Sequence, residues 1–148
     1  PHTSNWDFII AVGVRTLLRE EINFVIKKEY YNFLTTNFFN SLGGRPIDRG
    51  GKMNSVEKIS QMFENKEVFR IAIAPEGTRK VVERWKTGFY QIALKTNCKI
   101  LPVAFDWKKR EVRIFEVFSP THSYENDLKF LKSLFKGVKG KISENSRL

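Results

Sequence analysis

The sequence predicts a single α/β domain in which a mostly parallel central sheet is flanked by helices. Three observations lead to this fold class. Segments with strand-like and helix-like apolar spacing alternate along the chain, which is typical of parallel sheets. Residues 68–74 are almost continuously apolar, which indicates a buried strand. A length of 148 residues, with 41% hydrophobic and 28% charged residues, suits one folded domain over 1–148.

The first half of the chain predicts three helices and one short strand. Apolar residues after a polar turn predict a helix over 6–18. A short apolar segment at 22–26 predicts a strand. The aromatic-rich residues 30–42 predict a helix that two glycines terminate, and helical apolar spacing predicts another helix over 54–65.

The second half predicts a helix, a hairpin and a closing helix. Residues 88–95 have helical character, and the apolar segments 100–107 and 112–118 predict two strands that pair around the turn between them. Residues 127–138 close the chain as a helix, since its leucines recur at helical spacing.

His2 is followed five residues later by Asp7. On a regular helix these side chains would point about 140° apart, given about 3.6 residues per turn. They can meet if His2 lies in the turn before the helix and Asp7 in its first turn. Asp7 would then accept a hydrogen bond from one ring nitrogen and leave the other as a base. The structural alternative is a capping box between Ser4 and Asp7, with Ser4 or Asn5 as the cap, and both interpretations can hold together.

Two further segments carry arginine. The segment 43–51 places Arg45 and Arg49 beside Asp48 between flexible glycines, and the planar guanidinium group is suited to phosphate. The alternative for this segment is a solvated charged turn.

Pro75-Glu76-Gly77-Thr78-Arg79 directly follows the predicted strand at 68–74. In parallel sheets, sites gather at the carboxyl ends of strands. Gly77 allows the backbone to approach an anion and Arg79 supplies positive charge. The alternative is a surface turn with a Glu–Arg pair.

These segments resemble the motifs of the glycerolipid acyltransferase family, which includes the lysophosphatidic acid acyltransferases. His2 and Asp7 match its H-x4-D motif, and Pro75–Arg79 matches its P-E-G-T-R motif. The family's arginine-bearing motif is matched by Gly44, Pro46, Asp48 and Arg49. Its proline-containing motif is matched by Ile100–Val103. Trp6 and Arg45 depart from the residues usual at their positions, which bears on the identity of the acceptor.

The resemblance implies the glycerol-phosphate acyltransferase fold and acyl transfer from acyl-CoA or acyl carrier protein to a lysophospholipid hydroxyl. It makes His2 the general base and Asp7 the residue that orients it. It implies no metal and no cofactor. It also implies residues that bind the acceptor phosphate or line the acyl or acceptor groove: Arg49, Glu76, Gly77, Thr78, Arg79 and Pro102. An acceptor from another lysolipid class, such as lyso-ornithine or another aminolipid, is the alternative.

The net charge of +10 predicts an anionic partner. The lysines of the closing helix, at 129, 132, 136 and 139, would face an anionic membrane if they are not merely solvated. A basic nucleic-acid-binding module is disfavoured because no such motif is present. The single Cys98 is typical of a reducing compartment, so we expect a cytoplasmic protein on the inner face of the membrane. Because the chain begins at Pro1, next to a candidate catalytic residue, we expect an N-terminal segment to precede it.

Overall fold

The computed structural model describes residues 1–48 and 54–146. It contains two compact units, one formed by Pro1–Ile9 with Ala74–Leu148 and the other by Ile10–Ile73. Helices combine with a parallel sheet, which confirms the predicted α/β class. That the whole chain forms one domain stays a prediction.

The unit Ile10–Ile73 contains a three-stranded parallel sheet. Its strands are β1 (Asn23–Lys27), β2 (Gly44–Ile47) and β3 (Ile71–Ala72), in the order β2-β1-β3. Phe24 of β1 lies opposite Gly44 on one side and opposite Ala72 on the other. The predicted strand at 22–26 is therefore confirmed with a shift of one residue, and it forms the centre of this sheet.

The segment Gly44–Ile47 was expected in a turn and is a strand instead. Gly44 allows this pairing, because a Cβ atom there would lie 2.7 Å from the Tyr31 hydroxyl and 2.8 Å from the Phe39 carbonyl oxygen. Pro46 is tolerated because β2 lies at an edge of the described sheet, where a missing N–H donor costs little.

The long buried strand predicted over 68–74 is wrong in extent and burial. Only Ile71–Ala72 pair with β1, and Val68 is 63% exposed. The backbone carbonyl of Arg70 accepts hydrogen bonds from both the backbone and the side-chain nitrogen of Asn23, which anchors the start of the pairing. A continuously apolar segment indicates a strand but does not reveal that β3 lies at an edge of the described sheet.

Helix α1 spans Trp6–Leu18, the bounds predicted from the sequence. Helix α2 is confined to Thr36–Ser41, whereas a helix over 30–42 was expected. The Asn32 carboxamide oxygen accepts the backbone N–H groups of Leu34 and Thr35, so a local side-chain turn replaces the first part of the helix. A 3-10 helix, Lys28–Tyr30, precedes it.

Helix α3 spans Ser55–Gln61, within the predicted 54–65, and the Asn54 side chain caps it by accepting the Glu57 N–H at 2.9 Å. Among the residues that the structure describes, no helix has the length and apolar character needed to cross a membrane.

The other unit contains helix α4 (Gly88–Thr96), strands β4 (Val103–Asp106) and β5 (Glu111–Ile114), helix α5 (Tyr124–Leu134) and a 3-10 helix, Ser143–Asn145. The strands pair antiparallel, which confirms the predicted hairpin. Helix α5 begins and ends earlier than the predicted 127–138. Its buried residues include Leu131, which belongs to an apolar core with Trp85, Tyr90, Ile92, Ala93, Ala104 and Val138.

Candidate active site

The Asp7 carboxylate is the centre of the candidate site. Its Oδ2 accepts hydrogen bonds from the backbone N–H groups of Thr3 at 2.9 Å and Ser4 at 3.0 Å, and lies 3.1 Å from Nδ1 of His2. Its Oδ1 accepts the indole N–H of Trp107 at 2.7 Å. Asp7 is only 3% exposed. The structure therefore brings together the His–Asp pair that the sequence predicted.

The Asp7 carboxylate is kept ionised despite its burial. Burial by itself raises the pKa of Asp7, but the hydrogen bonds from His2, Ser4, Trp107 and Thr3 outweigh this effect and lower the pKa to about 2. An ionised carboxylate only accepts hydrogen bonds, so the proton between the two side chains lies on Nδ1 of His2. In the neutral imidazole with its proton on Nδ1, Nε2 carries the lone pair.

The same residues also cap helix α1. The Ser4 hydroxyl oxygen accepts the Trp6 N–H at 3.3 Å, while Asp7 accepts the Ser4 N–H. These reciprocal contacts resemble a capping box. The structural and the chemical interpretations of the segment thus hold together, because the cap fixes the carboxylate beside His2.

Glu76 lies next to this pair. Its Oε1 accepts the backbone N–H of His2 at 3.1 Å, and the residue is 8% exposed. The sequence suggested Glu76 only as a residue that shapes a phosphate pocket. Its contact with the backbone of His2 was not predicted, and it connects the P-E-G-T-R segment to the position of the histidine.

The rest of the P-E-G-T-R segment forms an exposed turn. Gly77 has a φ of +65°, and its N–H donates to the Ala74 carbonyl at 3.1 Å. A Cβ atom on Gly77 would lie 2.8 Å from Cε of Lys86, so the lysine stem packs closely over the glycine. Thr78 and Arg79 are exposed, and the backbone carbonyl of Arg79 accepts a hydrogen bond from the Asn145 side chain at 3.1 Å.

Of the two arginines in the segment 43–51, the structure describes only Arg45. Nε of Arg45 donates to the Asn23 side chain at 2.8 Å, and the guanidinium group lies 3.9 Å from Glu21. Arg45 thus joins neighbouring parts of the sheet. Arg49, predicted to bind the acceptor phosphate, lies outside the described residues.

Pro102, predicted to line a substrate groove, is buried, and its carbonyl accepts the Phe115 N–H at 3.0 Å. Within residues 1–48 and 54–146, no three His, Cys, Asp or Glu side chains are grouped as metal ligands.

Three further contacts on the His–Asp turn were missed by the sequence interpretation. Trp107 lies 100 positions from Asp7, so no spacing rule connects them. Gly140 packs against the side chain of Thr3, which is 2% exposed, and the Thr3 hydroxyl oxygen accepts the Ile142 N–H at 3.2 Å. The only sequence signal for Trp107 was its place at the end of a predicted strand.

Comparison with known proteins identifies the family. Residues 1–106 match the acyltransferase family, and the chain belongs to it. The structure is similar to that of the 1-acyl-sn-glycerophosphate (LPA) acyltransferase PlsC from Thermotoga maritima, with a TM-score of 0.58 and 24% sequence identity. The similarity covers 79% of this chain but only 55% of the Thermotoga chain, and it confirms the predicted fold. No curated protein matches the chain significantly.

Proposed function

We propose that this member of the acyltransferase family transfers a fatty acyl group to the free hydroxyl of a lysophospholipid, such as 1-acyl-glycerol-3-phosphate. The acyl donor is acyl-CoA or acyl carrier protein. The observation that carries the proposal is the 3.1 Å contact between Nδ1 of His2 and the buried carboxylate of Asp7. Family membership supports the same reaction class.

His2 is the general base in this proposal. Asp7 holds the Nδ1–H tautomer, so Nε2 accepts the proton of the acceptor hydroxyl. The hydroxyl oxygen then attacks the thioester carbonyl, the carbon–sulfur bond breaks, and the departing thiolate takes the proton from His2. A thioester is already activated, so a covalent enzyme intermediate is not required. The His2 side chain is 32% exposed, which leaves it accessible to a substrate.

Arg79 is proposed to bind the acceptor phosphate together with Arg49. Its side chain is exposed while its backbone carbonyl is held by Asn145, so the guanidinium group can reach a headgroup from a fixed turn. Gly77 and Thr78 are exposed in the same turn. Pro102 contributes to the acyl or acceptor groove.

An anionic membrane surface is the proposed location of the reaction, on the cytoplasmic face. Lys129, Lys136 and Lys139 are exposed, and Lys132 places its ammonium group 5.7 Å from the centroid of the Trp85 ring. Three of these lysines line a cavity of about 520 Å³ beside helix α5: Lys132, Lys136 and Lys139. Each lysine near such a surface adds about 1 kcal/mol of attraction.

The test is lipid mass spectrometry after the protein is incubated with acyl-CoA or acylated acyl carrier protein and a mixture of lysophospholipids and lyso-aminolipids. His2→Ala should reduce product formation at least about 100-fold, the contribution typical of general-base catalysis. His122→Ala is the matched control, since His122 is exposed in a loop. Near-normal turnover by His2→Ala would contradict the assigned base. Acylation of only the lyso-aminolipids would show that the acceptor is an aminolipid and not a lysophospholipid.

A further inference from the structure

We propose that Trp107 is a positioning residue for the His2–Asp7 pair, because its indole N–H fixes the rotation of the Asp7 carboxylate that faces His2. This inference rests on the proposed function. Nothing in the acyltransferase family match includes Trp107, since the matched residues end at 106. Trp107 lies outside the four family motifs that this chain resembles.

The two oxygens of Asp7 are held by different parts of the chain. Oδ2 accepts only local donors among the contacts described: the N–H groups of Thr3 and Ser4 and the ring of His2. Oδ1 accepts the indole N–H of Trp107 at 2.7 Å, the shortest of the four contacts. With donors on both oxygens, the carboxylate plane cannot turn without breaking a hydrogen bond to a buried charge, which is costly.

Trp107 is itself held in place. Its backbone N–H donates to the Lys139 carbonyl at 2.8 Å. The ammonium group of Lys141 lies 5.0 Å from the centroid of the Trp107 ring and 4.2 Å from that of Trp6, within the range of cation–π contacts. The segment that contains Lys139 and Lys141 also packs Gly140 against Thr3. The indole is thus fixed from the hairpin turn and from the C-terminal segment.

Orientation of the carboxylate matters because it decides which His2 tautomer is present. Asp7 must present Oδ2 to Nδ1 so that Nε2 stays free for the hydroxyl proton. Without the indole donor, Oδ1 is a buried charged oxygen with an unmet hydrogen bond, and the carboxylate is free to rotate toward another donor. The expected loss is therefore in the chemical step and not in substrate binding.

The experiment compares steady-state kinetics of the full chain with 1-acyl-glycerol-3-phosphate and acyl-CoA. Trp107→Phe keeps an aromatic ring and removes the donor, and kcat should fall about 10-fold while KM for both substrates changes little. Replacement of Trp107 by 3-benzothienylalanine keeps the two-ring shape and exchanges only N–H for sulfur. It should give the same loss, which separates the hydrogen bond from the packing. Wild-type kcat in the benzothienylalanine protein overturns the proposal.

Two controls isolate the route through Asp7. Lys109→Ala changes an exposed side chain in the same hairpin turn and leaves the indole donor of Trp107 in place, so its kcat should match wild type. In an Asp7→Ala background, Trp107→Phe should cause no further loss of kcat, because a positioning residue has nothing left to orient. A further loss of kcat of about 10-fold in the Asp7→Ala background would show that Trp107 acts independently of Asp7. That result would overturn the proposal.

A readout without turnover separates this inference from the proposed function. The Nδ1–H proton of His2, observed by NMR, should exchange faster with solvent in the benzothienylalanine protein than in wild type. Unchanged exchange contradicts the positioning role. If His2→Ala retains activity, the proposed base is wrong; if His2→Ala is inactive and the Trp107 variants behave as wild type, only the role of Trp107 is wrong.

Discussion

The turn at residues 2–7 and the turn at residues 75–79 belong to the same compact unit and have opposite surroundings. In the first, Thr3 and Asp7 are 2% and 3% exposed, and both oxygens of the carboxylate have donors. In the second, Glu76 is buried against the backbone of His2, but the three residues that follow it are exposed.

This difference is consistent with the two chemical tasks proposed for these turns. A general base works best when its orientation is fixed before the substrate arrives, because no reorganisation is then needed during the reaction. A group that captures a charged headgroup needs access and reach, which an exposed arginine on a fixed turn provides. Substitutions in the first turn should therefore alter kcat and stability, whereas substitutions at the tip of the second should alter acceptor KM.

Asp7→Asn should have the largest effect. The amide nitrogen of the new side chain would replace one of the two carboxylate oxygens. It would then face either the backbone N–H groups of Thr3 and Ser4 or the indole N–H of Trp107, so a donor faces a donor in both orientations. We expect kcat to fall at least about 100-fold and the free energy of unfolding to fall by about 1–3 kcal/mol. Urea unfolding and steady-state kinetics measure these two effects.

Glu64→Gln, at an exposed carboxylate, is the control for Asp7→Asn and should change the free energy of unfolding by less than about 0.5 kcal/mol. Wild-type kcat in Asp7→Asn would contradict the role of the fixed turn.

Gly140→Ala tests the packing behind the same turn. A Cβ atom at this position would lie 2.5 Å from the hydroxyl oxygen of Thr3 and 2.6 Å from its Cγ2. Thr3 is buried, so it must shift and move the N–H that Asp7 accepts. We expect a loss of stability of about 1–3 kcal/mol, with a drop in kcat, measured by thermal unfolding and kinetics.

Gly13→Ala is the matched control, since its added Cβ meets no atom within 4 Å beyond its own helix backbone and chain neighbours, and the helix interior favours alanine. If both alanine variants unfold at the same temperature and turn over alike, the packing on Thr3 does not hold the turn.

The low pKa of Asp7 predicts an acid-dependent contribution to stability. The folded-state pKa of about 2 lies below the ordinary value of 3.8, so the unfolded chain binds this proton first as the pH falls. The contribution, on the order of 2 kcal/mol, is complete above about pH 5 and is lost as the pH falls toward 2. The difference in unfolding free energy between wild type and Asp7→Asn should shrink over that interval. A constant difference from pH 5 to pH 2 would contradict the assignment.

Sequence patterns predicted the features that depend on residues close together in the chain. The bounds of α1, the presence of α4 and the hairpin all follow from local apolar spacing and turns, and the His2–Asp7 pair lies within six consecutive residues. The helix expected over 30–42 is shortened to Thr36–Ser41 because the Asn32 side chain accepts the backbone N–H groups of Leu34 and Thr35.

Contacts between distant residues were not predicted from the pattern. The strand expected over 68–74 was overextended because apolar content does not report whether a neighbouring strand covers it. Trp107 and Gly140 reach the His–Asp turn from about 100 or more positions away, and only the folded chain brings them there. The contact between His2 and Asp7 was therefore predictable from the sequence, and the contacts of Trp107 with Asp7 and of Gly140 with Thr3 were not.

Arg79→Lys should have the smallest effect and sharpens the contrast between the two turns. The side chain is exposed, so the free energy of unfolding should change by less than about 0.5 kcal/mol. A lysine replaces the planar fork by a point charge, so KM for the acceptor should rise while KM for acyl-CoA and kcat change little. Arg84→Lys, at an exposed arginine outside the turn, is the control. If Arg79→Lys raises both KM values equally, or lowers stability as Gly140→Ala does, the arginine has a structural role. The second turn would then not be the binding site of the acceptor headgroup.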